Sequence, residues 1–166
     1  MFVQAESSSQ FRVEKARVPA TLTLSNGAAV TGAFFVAGSS ATHDGQERVH
    51  DVLNAETGFF PFEVTGTDGP RTALYNRDHV VLVALASTDE ARRDPGYDLA
   101  TPRAVSMLLS NGLRLRGSVR VYRPQGRDRL SDFARATECF RYLEAREGTY
   151  LVNVRHLLEL AEEADA

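Results

Sequence analysis

Residues 113–121 alternate between apolar and polar side chains. The two interleaved sets are Leu113, Leu115, Val119 and Val121 on one side, and Arg114, Arg116, Ser118 and Arg120 on the other. Successive side chains of an extended strand point to opposite faces of a sheet. The pattern therefore predicts a strand with one face in an apolar core and an arginine-bearing face turned away from that core.

An Asn-Gly dipeptide lies just before this strand, and a second one lies earlier in the chain. The two stretches read "LTLSNGAAVTG" from residue 22 and "LLSNGLRLRG" from residue 108. Asn-Gly between two apolar segments favours a β-hairpin, because both residues tolerate a positive φ angle. We expect a hairpin at each stretch, with Gly27 and Gly112 at positive φ.

The chain contains one pattern twice. Three blocks of the first half match three blocks of the second half in the same order, at offsets of 85, 81 and 77 residues. The matched pairs include Gly32 with Gly117, Asp51 with Asp132, Phe59 with Phe140, Asn76 with Asn153, and His79 with His156. The offset changes in Gly-rich or polar stretches, where loop insertions are tolerated. We interpret the chain as an internal duplication.

The duplication divides the chain into five parts. They are an N-terminal extension (1–17), a first barrel-like repeat (18–85), a linker (86–101), a second barrel-like repeat (102–160) and an acidic C-terminal tail (161–166). Repeats of about 60 to 70 residues are small for independent cores. We therefore expect the repeats to pack on each other, related by a pseudo-twofold axis.

The matched apolar positions predict the core. In the first repeat these are Leu22, Leu24, Val30, Phe34, Phe59, Phe62, Leu74 and Val80. In the second they are Leu109, Leu115, Val119, Phe140, Leu143, Leu151 and Leu157.

The Asn-Gly turn with a second glycine five residues later, and the closing "apolar-apolar-Asn-x-x-His-apolar-apolar" block, together resemble the Sm-like family. Other SH3-like barrels share the pattern, and "DVLNAETGFFPF" resembles a stretch of uncharacterised bacterial proteins with the same Asn-Gly pattern. The resemblance implies an all-β chain of two tandem small Sm-like or SH3-like barrels. Sm-like proteins bind RNA through an aspartate and an asparagine shortly after the second glycine. Neither Gly32 nor Gly117 is followed by that pair, so the resemblance extends to the fold rather than to the RNA site.

Charge is divided unequally between the two repeats. The whole chain carries a net charge of −3, whereas residues 18–85 carry −4 and residues 102–160 carry +5. A positive strand face suits an anionic partner. The candidate residues for anion or partner binding are Arg114, Arg116, Arg120, Tyr122 and Arg123. Because 18 of the 19 basic residues are arginines, the codon bias of a GC-rich genome is an alternative explanation for the same face.

The first repeat lacks this arginine face. The positions that match Arg114, Arg116 and Arg120 hold Ala29, Thr31 and Phe35. We expect this face of the first repeat to be covered, either by the second repeat or by a second chain. Phe35 is accordingly a candidate interface residue.

No combination of residues indicates catalysis, a cofactor or a metal. The single Cys139 provides neither a disulfide nor a pair of zinc ligands. Turn roles account for the matched histidines and asparagines, and a place in the first turn of a helix accounts for the matched aspartates. Neither a glycine-rich phosphate loop nor a nucleophile elbow is present. We therefore predict no catalytic, cofactor-binding or metal-binding residue, and a protein that is not an enzyme.

The predicted function is that of a non-catalytic scaffold or adaptor, which binds a protein partner or associates with itself. The alternative is binding of RNA or single-stranded nucleic acid through the arginine-rich second repeat. No run of about 18 apolar residues is long enough to span a membrane, and the N-terminus lacks the pattern of a secretory signal. We therefore expect a cytoplasmic protein without a membrane partner.

Overall fold

The computed structural model of the chain describes residues 15–121, 129–135 and 137–164, without the side chain of Asp132. The strands of the first half are β1 (Lys15–Leu24), β2 (Ala29–Ala37), β3 (Phe59–Val64), β4 (Arg71–Asn76) and β5 (Val80–Leu85). Those of the second half are β6 (Thr101–Leu109), β7 (Arg114–Val121), β8 (Phe140–Ala145), β9 (Gly148–Asn153) and β10 (Leu157–Glu162). The helices are α1 (Val49–Ala55), α2 (Asp89–Arg92) and α3 (Leu130–Ala134), with single 3-10 turns at Arg77–His79, Tyr97–Leu99 and Val154–His156.

All ten strands form one antiparallel sheet, in the order β10-β6-β7-β8-β9-β5-β1-β2-β3-β4. This confirms the all-β prediction. The first half contributes its strands in the order fifth, first, second, third, fourth, and the second half contributes its own strands in that same order. In both halves a 3-10 turn joins the fourth strand to the fifth. The two halves therefore have the same strand order, as the matched sequence blocks predict.

The way in which the halves meet differs from the expectation. The sequence predicts two tandem small barrels related by a pseudo-twofold axis, but β5 of the first half pairs with β9 of the second, and one sheet crosses the repeat boundary. A twofold axis would join two like edges. Here the fifth strand of one repeat meets the fourth strand of the other, so the repeats are arranged head to tail. The sheet is open, with β10 and β4 at its edges, and the closure of each repeat into a barrel stays a prediction.

Both Asn-Gly turns form the predicted hairpins. Gly27 has a φ of 87° and Gly112 a φ of 85°. No other residue type has a positive φ within the described ranges, so each turn places only its glycine in the left-handed region, as in a type I turn that ends in a glycine bulge. The Asn26 side chain accepts a hydrogen bond of 2.9 Å from the backbone N–H of Ala28, which closes the turn.

The second glycine of each motif lies where two strands approach closely. A Cβ atom at Gly32 would lie 1.9 Å from the carbonyl oxygen of Glu63, and one at Gly117 would lie 2.5 Å from that of Glu144. Neither distance leaves room for a side chain. The five-residue spacing between the two glycines therefore reflects one turn and one strand contact, repeated in each half.

The core contains most of the predicted apolar residues. Buried among them are Leu22, Phe34, Phe62, Val80, Leu109, Leu115, Val119, Phe140, Leu143 and Leu151, whereas Leu24, Val30 and Leu157 are partly buried. Two predicted core residues are wrong: Phe59 is 59% exposed and Leu74 is 66% exposed. Leu74 lies on β4, which has no strand on its outer side in the described part of the chain, and Phe59 lies opposite Asn76 of β4 on the adjacent strand β3.

The linker is more ordered than its polar composition suggests, because it includes α2 and a 3-10 turn. The carboxylate of Glu90 in α2 is buried. It accepts hydrogen bonds from the backbone N–H of Val49 at 2.6 Å and from the Tyr142 hydroxyl at 2.9 Å. Since these donors belong to different halves, the linker holds the two repeats together. The outer strands also extend beyond the predicted repeats, because β1 begins at Lys15 and β10 ends at Glu162.

Candidate interaction edges

The contact between β5 and β9 shows how one repeat binds another. The strands pair antiparallel, with Val83 opposite Leu151 at the centre of the paired segment. Leu151 is fully buried and belongs to the same apolar cluster as the core of the first repeat, together with Phe140. Conversely, Val81 of β5 in the first repeat is fully buried within the core cluster of the second repeat. Each repeat therefore completes the core of the other across this junction.

Polar groups close one end of the junction. The Nδ2 atom of Asn153 donates hydrogen bonds to the carbonyl oxygens of Val80 at 2.9 Å and Arg77 at 3.3 Å. Its Oδ1 atom accepts one from the N–H of Arg155 at 3.1 Å, which caps the 3-10 turn. The same asparagine thus shapes its own turn and binds the neighbouring repeat.

A histidine and an ion pair add to this end of the junction. The Nε2 atom of His156 lies 2.6 Å from the carbonyl oxygen of Asp78, and its Nδ1 atom shares a hydrogen bond of 2.7 Å with the Ser110 hydroxyl. Arg155 forms an exposed ion pair of 2.9 Å with the Asp78 carboxylate. The turn role predicted for the matched histidines and asparagines is confirmed, since His79 and Ser25 also share such a bond, of 3.0 Å.

Among the described residues, β4 and β10 have no strand on their outer sides, and these two free edges are the counterparts of the strands in this junction. By the repeat alignment, β4 corresponds to β9, and β10 corresponds to β5. Two large apolar residues on the edge strands are exposed although their counterparts are buried: Leu74 (66%) against Leu151 (0%), and Leu158 (67%) against Val81 (0%). Phe59 (59%), on the strand β3 next to the β4 edge, is likewise exposed although its counterpart Phe140 (1%) is buried. The free edges therefore display the apolar side chains that the junction between the repeats buries.

The arginines predicted to form one surface have two different environments. Arg114 and Arg116 contact carboxylates near the β10 edge: Arg114 lies 3.0 Å from Glu159, and Arg116 lies 3.7 Å from Glu163. These two arginines are thus near acidic groups of their own chain. The role of this face in binding an anion or a partner stays a prediction.

Arg120 belongs to a separate cluster on the linker side. Its guanidinium lies 3.6 Å from the centre of the Tyr97 ring, and it forms an ion pair of 3.1 Å with Glu144. The Tyr97 hydroxyl donates a hydrogen bond of 2.6 Å to the same carboxylate. Burial is the main cause that raises the pKa of Tyr97, and the hydrogen bond to Glu144 raises it further. The remaining members of the predicted set, Tyr122 and Arg123, lie outside the described residues.

The candidate interface residue Phe35 is half-buried on β2. The guanidinium of Arg17, which lies opposite it in the strand register, is 5.3 Å from the centre of its ring. Arg17 also forms an ion pair of 2.8 Å with Glu63. The long side chain of Arg17 on the neighbouring strand β1 thus covers part of this ring, and an interface role for Phe35 stays a prediction.

A cavity of about 610 Å³ lies between α1, the linker and β8. Within its wall, Arg48 contacts Asp51 at 3.1 Å and Asp94 at 2.5 Å. His50 stacks on Tyr142 with the ring centres 5.1 Å apart, and its Nε2 atom lies 3.2 Å from Glu138. Arg48 thus joins α1 to Asp94 of the linker, and His50 of α1 packs on Tyr142 of the second repeat, so the network connects the linker to both repeats.

Asp51 has the role that its position in the sequence predicts. It occupies the first turn of α1 and accepts hydrogen bonds from the N–H of Arg48 at 2.8 Å and from His43 at 2.6 Å. Burial alone would raise the pKa of Asp51, but the hydrogen bonds from His43 and Arg48 outweigh it and lower the pKa to about 2. The hydrogen bond of His43 to the Asp44 carbonyl oxygen raises the pKa of His43 most, and its hydrogen bond to Asp51 raises it further.

No group of three or more His, Cys, Asp or Glu side chains is placed to hold a metal ion in the part of the chain that the structure describes. None of the helices described above is both long enough and apolar enough to cross a membrane.

Local sequence pattern does not indicate that Phe59, Leu74 and Leu158 are exposed. Repeat matching predicts Phe59 and Leu74 as core residues, and no pattern singles out Leu158. The available signal was the repeat order itself, since a sheet of two units has one outer strand at each end.

Comparisons of the chain with protein-family models, with curated proteins and with solved structures each return no match.

Proposed function

We propose that this chain is a non-catalytic scaffold or adaptor that binds protein through the two free edges of its sheet. One observation carries the proposal: Leu74 and Leu158 on the edge strands, and Phe59 on the neighbouring strand β3, are exposed, whereas their counterparts are buried. An unpaired strand offers a row of backbone donors and acceptors to another chain, and strand addition is a common mode of protein recognition. Exposed apolar side chains beside such an edge favour the same interaction.

We also interpret each half as a Sm-like or SH3-like unit. The identical strand order of the two halves, the 3-10 turn before each fifth strand and the tightly packed Gly32 and Gly117 support this interpretation. Such a unit can add a neighbour at either side of its sheet without catalytic groups. The repeat architecture is therefore compatible with a scaffold role.

Affinity capture with edge variants tests the proposal. The full chain and the double variant Leu74→Arg/Leu158→Arg are used as bait in extract of the native cell, with half of each sample treated with nuclease. The control is Leu99→Arg, because Leu99 is almost fully exposed in the linker and lies on neither edge strand.

We expect proteins that are captured by the unmodified chain and by the control, survive nuclease treatment and are lost with the double variant. Identical capture by all three baits would refute the proposal. Loss of all partners on nuclease treatment would instead favour the alternative, RNA or single-stranded nucleic acid bound through the second repeat.

A further inference from the structure

We propose that the cavity between α1, the linker and β8 binds a small planar anion, a molecule in which a flat aromatic ring is joined to a carboxylate or phosphate group. None of the described residues that line this cavity belongs to β4 or β10. The inference therefore goes beyond the proposed function, and the two can fail independently of each other.

The cavity has the size and the position of a ligand site. Its volume is about 610 Å³, and pockets for small molecules commonly measure about 300–1,000 Å³ and lie where structural units meet. Three parts of the chain contribute to its wall, because Arg48 directly precedes α1, Tyr97 belongs to the linker and Phe133 belongs to α3 of the second repeat. A ligand in the cavity would contact all three parts at once.

Ion pairs hold the wall of the cavity in place. Arg48 is buried, and its guanidinium lies 3.1 Å from the carboxylate of Asp51 and 2.5 Å from that of Asp94. On the other side of the cavity, Arg120 forms an ion pair of 3.1 Å with Glu144. Side chains that are already fixed lose little conformational freedom when a ligand binds, and this favours affinity.

Planar groups are stacked in pairs along the wall. The guanidinium of Arg120 lies 3.6 Å from the centre of the Tyr97 ring, and that of Arg141 lies 3.9 Å from the centre of the Phe133 ring. All four residues line the cavity. A guanidinium has two flat faces, so one that covers an aromatic ring can receive a second planar group on its other face. The wall therefore suits a ligand with a flat ring.

The distribution of paired and unpaired charge favours an anion over a cation. The carboxylates that line the cavity each have a partner, since Asp94 and Glu144 contact arginines and Glu138 lies 3.2 Å from a histidine nitrogen. The guanidinium of Arg135, which also lines the cavity, makes no hydrogen bond or ion pair with the other described residues. The fork of an arginine matches a carboxylate or phosphate group with two parallel hydrogen bonds. We infer that Arg135 binds the anionic group of the ligand.

Isothermal titration calorimetry of the full chain tests the inference with two matched pairs of probes. The pairs are adenosine monophosphate with adenosine, and salicylate with salicylamide, so that each pair shares one ring and only one member is an anion. We expect at least one anion to bind with one-to-one stoichiometry. Its neutral analogue should bind about tenfold more weakly, which is the contribution of a hydrogen bond to a charged group. Binding of the nucleotide alone would support a nucleotide as the ligand, and binding of salicylate alone would support an aromatic carboxylate.

Two substitutions test whether the probe occupies this cavity. Arg135→Glu should weaken binding of the anion about tenfold or more and leave binding of the neutral analogue unchanged, because only the anion contacts the guanidinium. Tyr97→Ala should weaken binding of both members of a pair, because it removes a ring from the wall.

The matched control is Arg71→Glu, which makes the same change of charge at an exposed residue of β4 outside the cavity. Arg135 is exposed as well, so the circular dichroism of both Glu variants should equal that of the unmodified chain. Arg71→Glu should bind the anion as tightly as the unmodified chain does.

Three results would overturn the inference. They are the failure of both anions to bind at millimolar concentration, equal affinities for an anion and its neutral analogue, and equal weakening of anion binding by Arg135→Glu and Arg71→Glu. None of these results bears on the capture of proteins by the sheet edges, which the Leu74→Arg/Leu158→Arg bait tests separately.

Discussion

Truncation of two repeat-equivalent phenylalanines measures how far position in the sheet decides the role of a residue. Phe140 is 1% exposed and contributes to the core cluster of the first repeat, and its backbone forms hydrogen bonds of 2.9 and 3.0 Å with the Asn54 side chain. Phe59 has the matching position but is 59% exposed. Phe140→Ala should therefore destabilise the fold by about 3–5 kcal/mol, as typical for a buried Phe. Phe59→Ala should destabilise it by about 1 kcal/mol or less.

The assay is urea unfolding of both variants beside the unmodified chain, followed by far-UV circular dichroism. For a chain of this size, about 1 kcal/mol corresponds to roughly 2–4 °C in melting temperature, so Phe140→Ala should also melt roughly 6–20 °C lower. Measurements at several concentrations separate folding from association, because self-association makes apparent stability depend on concentration. Equal losses for the two variants in the monomer would refute the reasoning, since they would show that Phe59 is also buried within one chain.

Three further outcomes follow from particular contacts. Gly117→Ala should lower the free energy of unfolding by about 1–3 kcal/mol, because its Cβ would lie 2.5 Å from the Glu144 carbonyl oxygen. The control is Gly38→Ala, whose added Cβ would meet no atom within 4 Å. Equal losses of unfolding free energy in the two variants would contradict the explanation. Because the pKa of Asp51 is lowered from 3.8 to about 2, its contribution to stability of about 2 kcal/mol is present above pH 3.8 and is lost as the pH falls toward 2. Asp51→Asn should therefore flatten the plot of unfolding free energy against pH in this range. An unchanged loss of stability between pH 3.8 and 2 would argue against the contacts of Asp51 with His43 and Arg48. We expect no salt-sensitive binding of mixed RNA or single-stranded DNA in a filter-binding assay. The nucleic-acid alternative would instead be supported by binding whose plot of log affinity against log salt concentration becomes about two units less steep when Arg114, Arg116 and Arg120 are changed to Ser.

The parts of the fold that depend on neighbouring residues were predictable from the sequence. Alternation of apolar and polar residues predicted β7, and the Asn-Gly dipeptides predicted two hairpins with glycines at positive φ. The turn roles of Asn76 and His79 also followed, because short polar side chains bind nearby backbone groups. Matching blocks then predicted that the two halves share one strand order. Each of these inferences uses chain geometry within a few residues or comparison of the chain with itself.

The identity of the neighbours across the sheet was decided only by the tertiary structure. Phe59 and Phe140 have similar local sequences, and yet one is exposed and the other buried, because β9 adjoins β5 while β4 ends the sheet. The same holds for Arg120, whose contact with the ring of Tyr97 in the linker no local pattern indicated. Strand pairing brings together residues far apart in sequence, and local pattern carries no information about which of two equivalent edges will be covered.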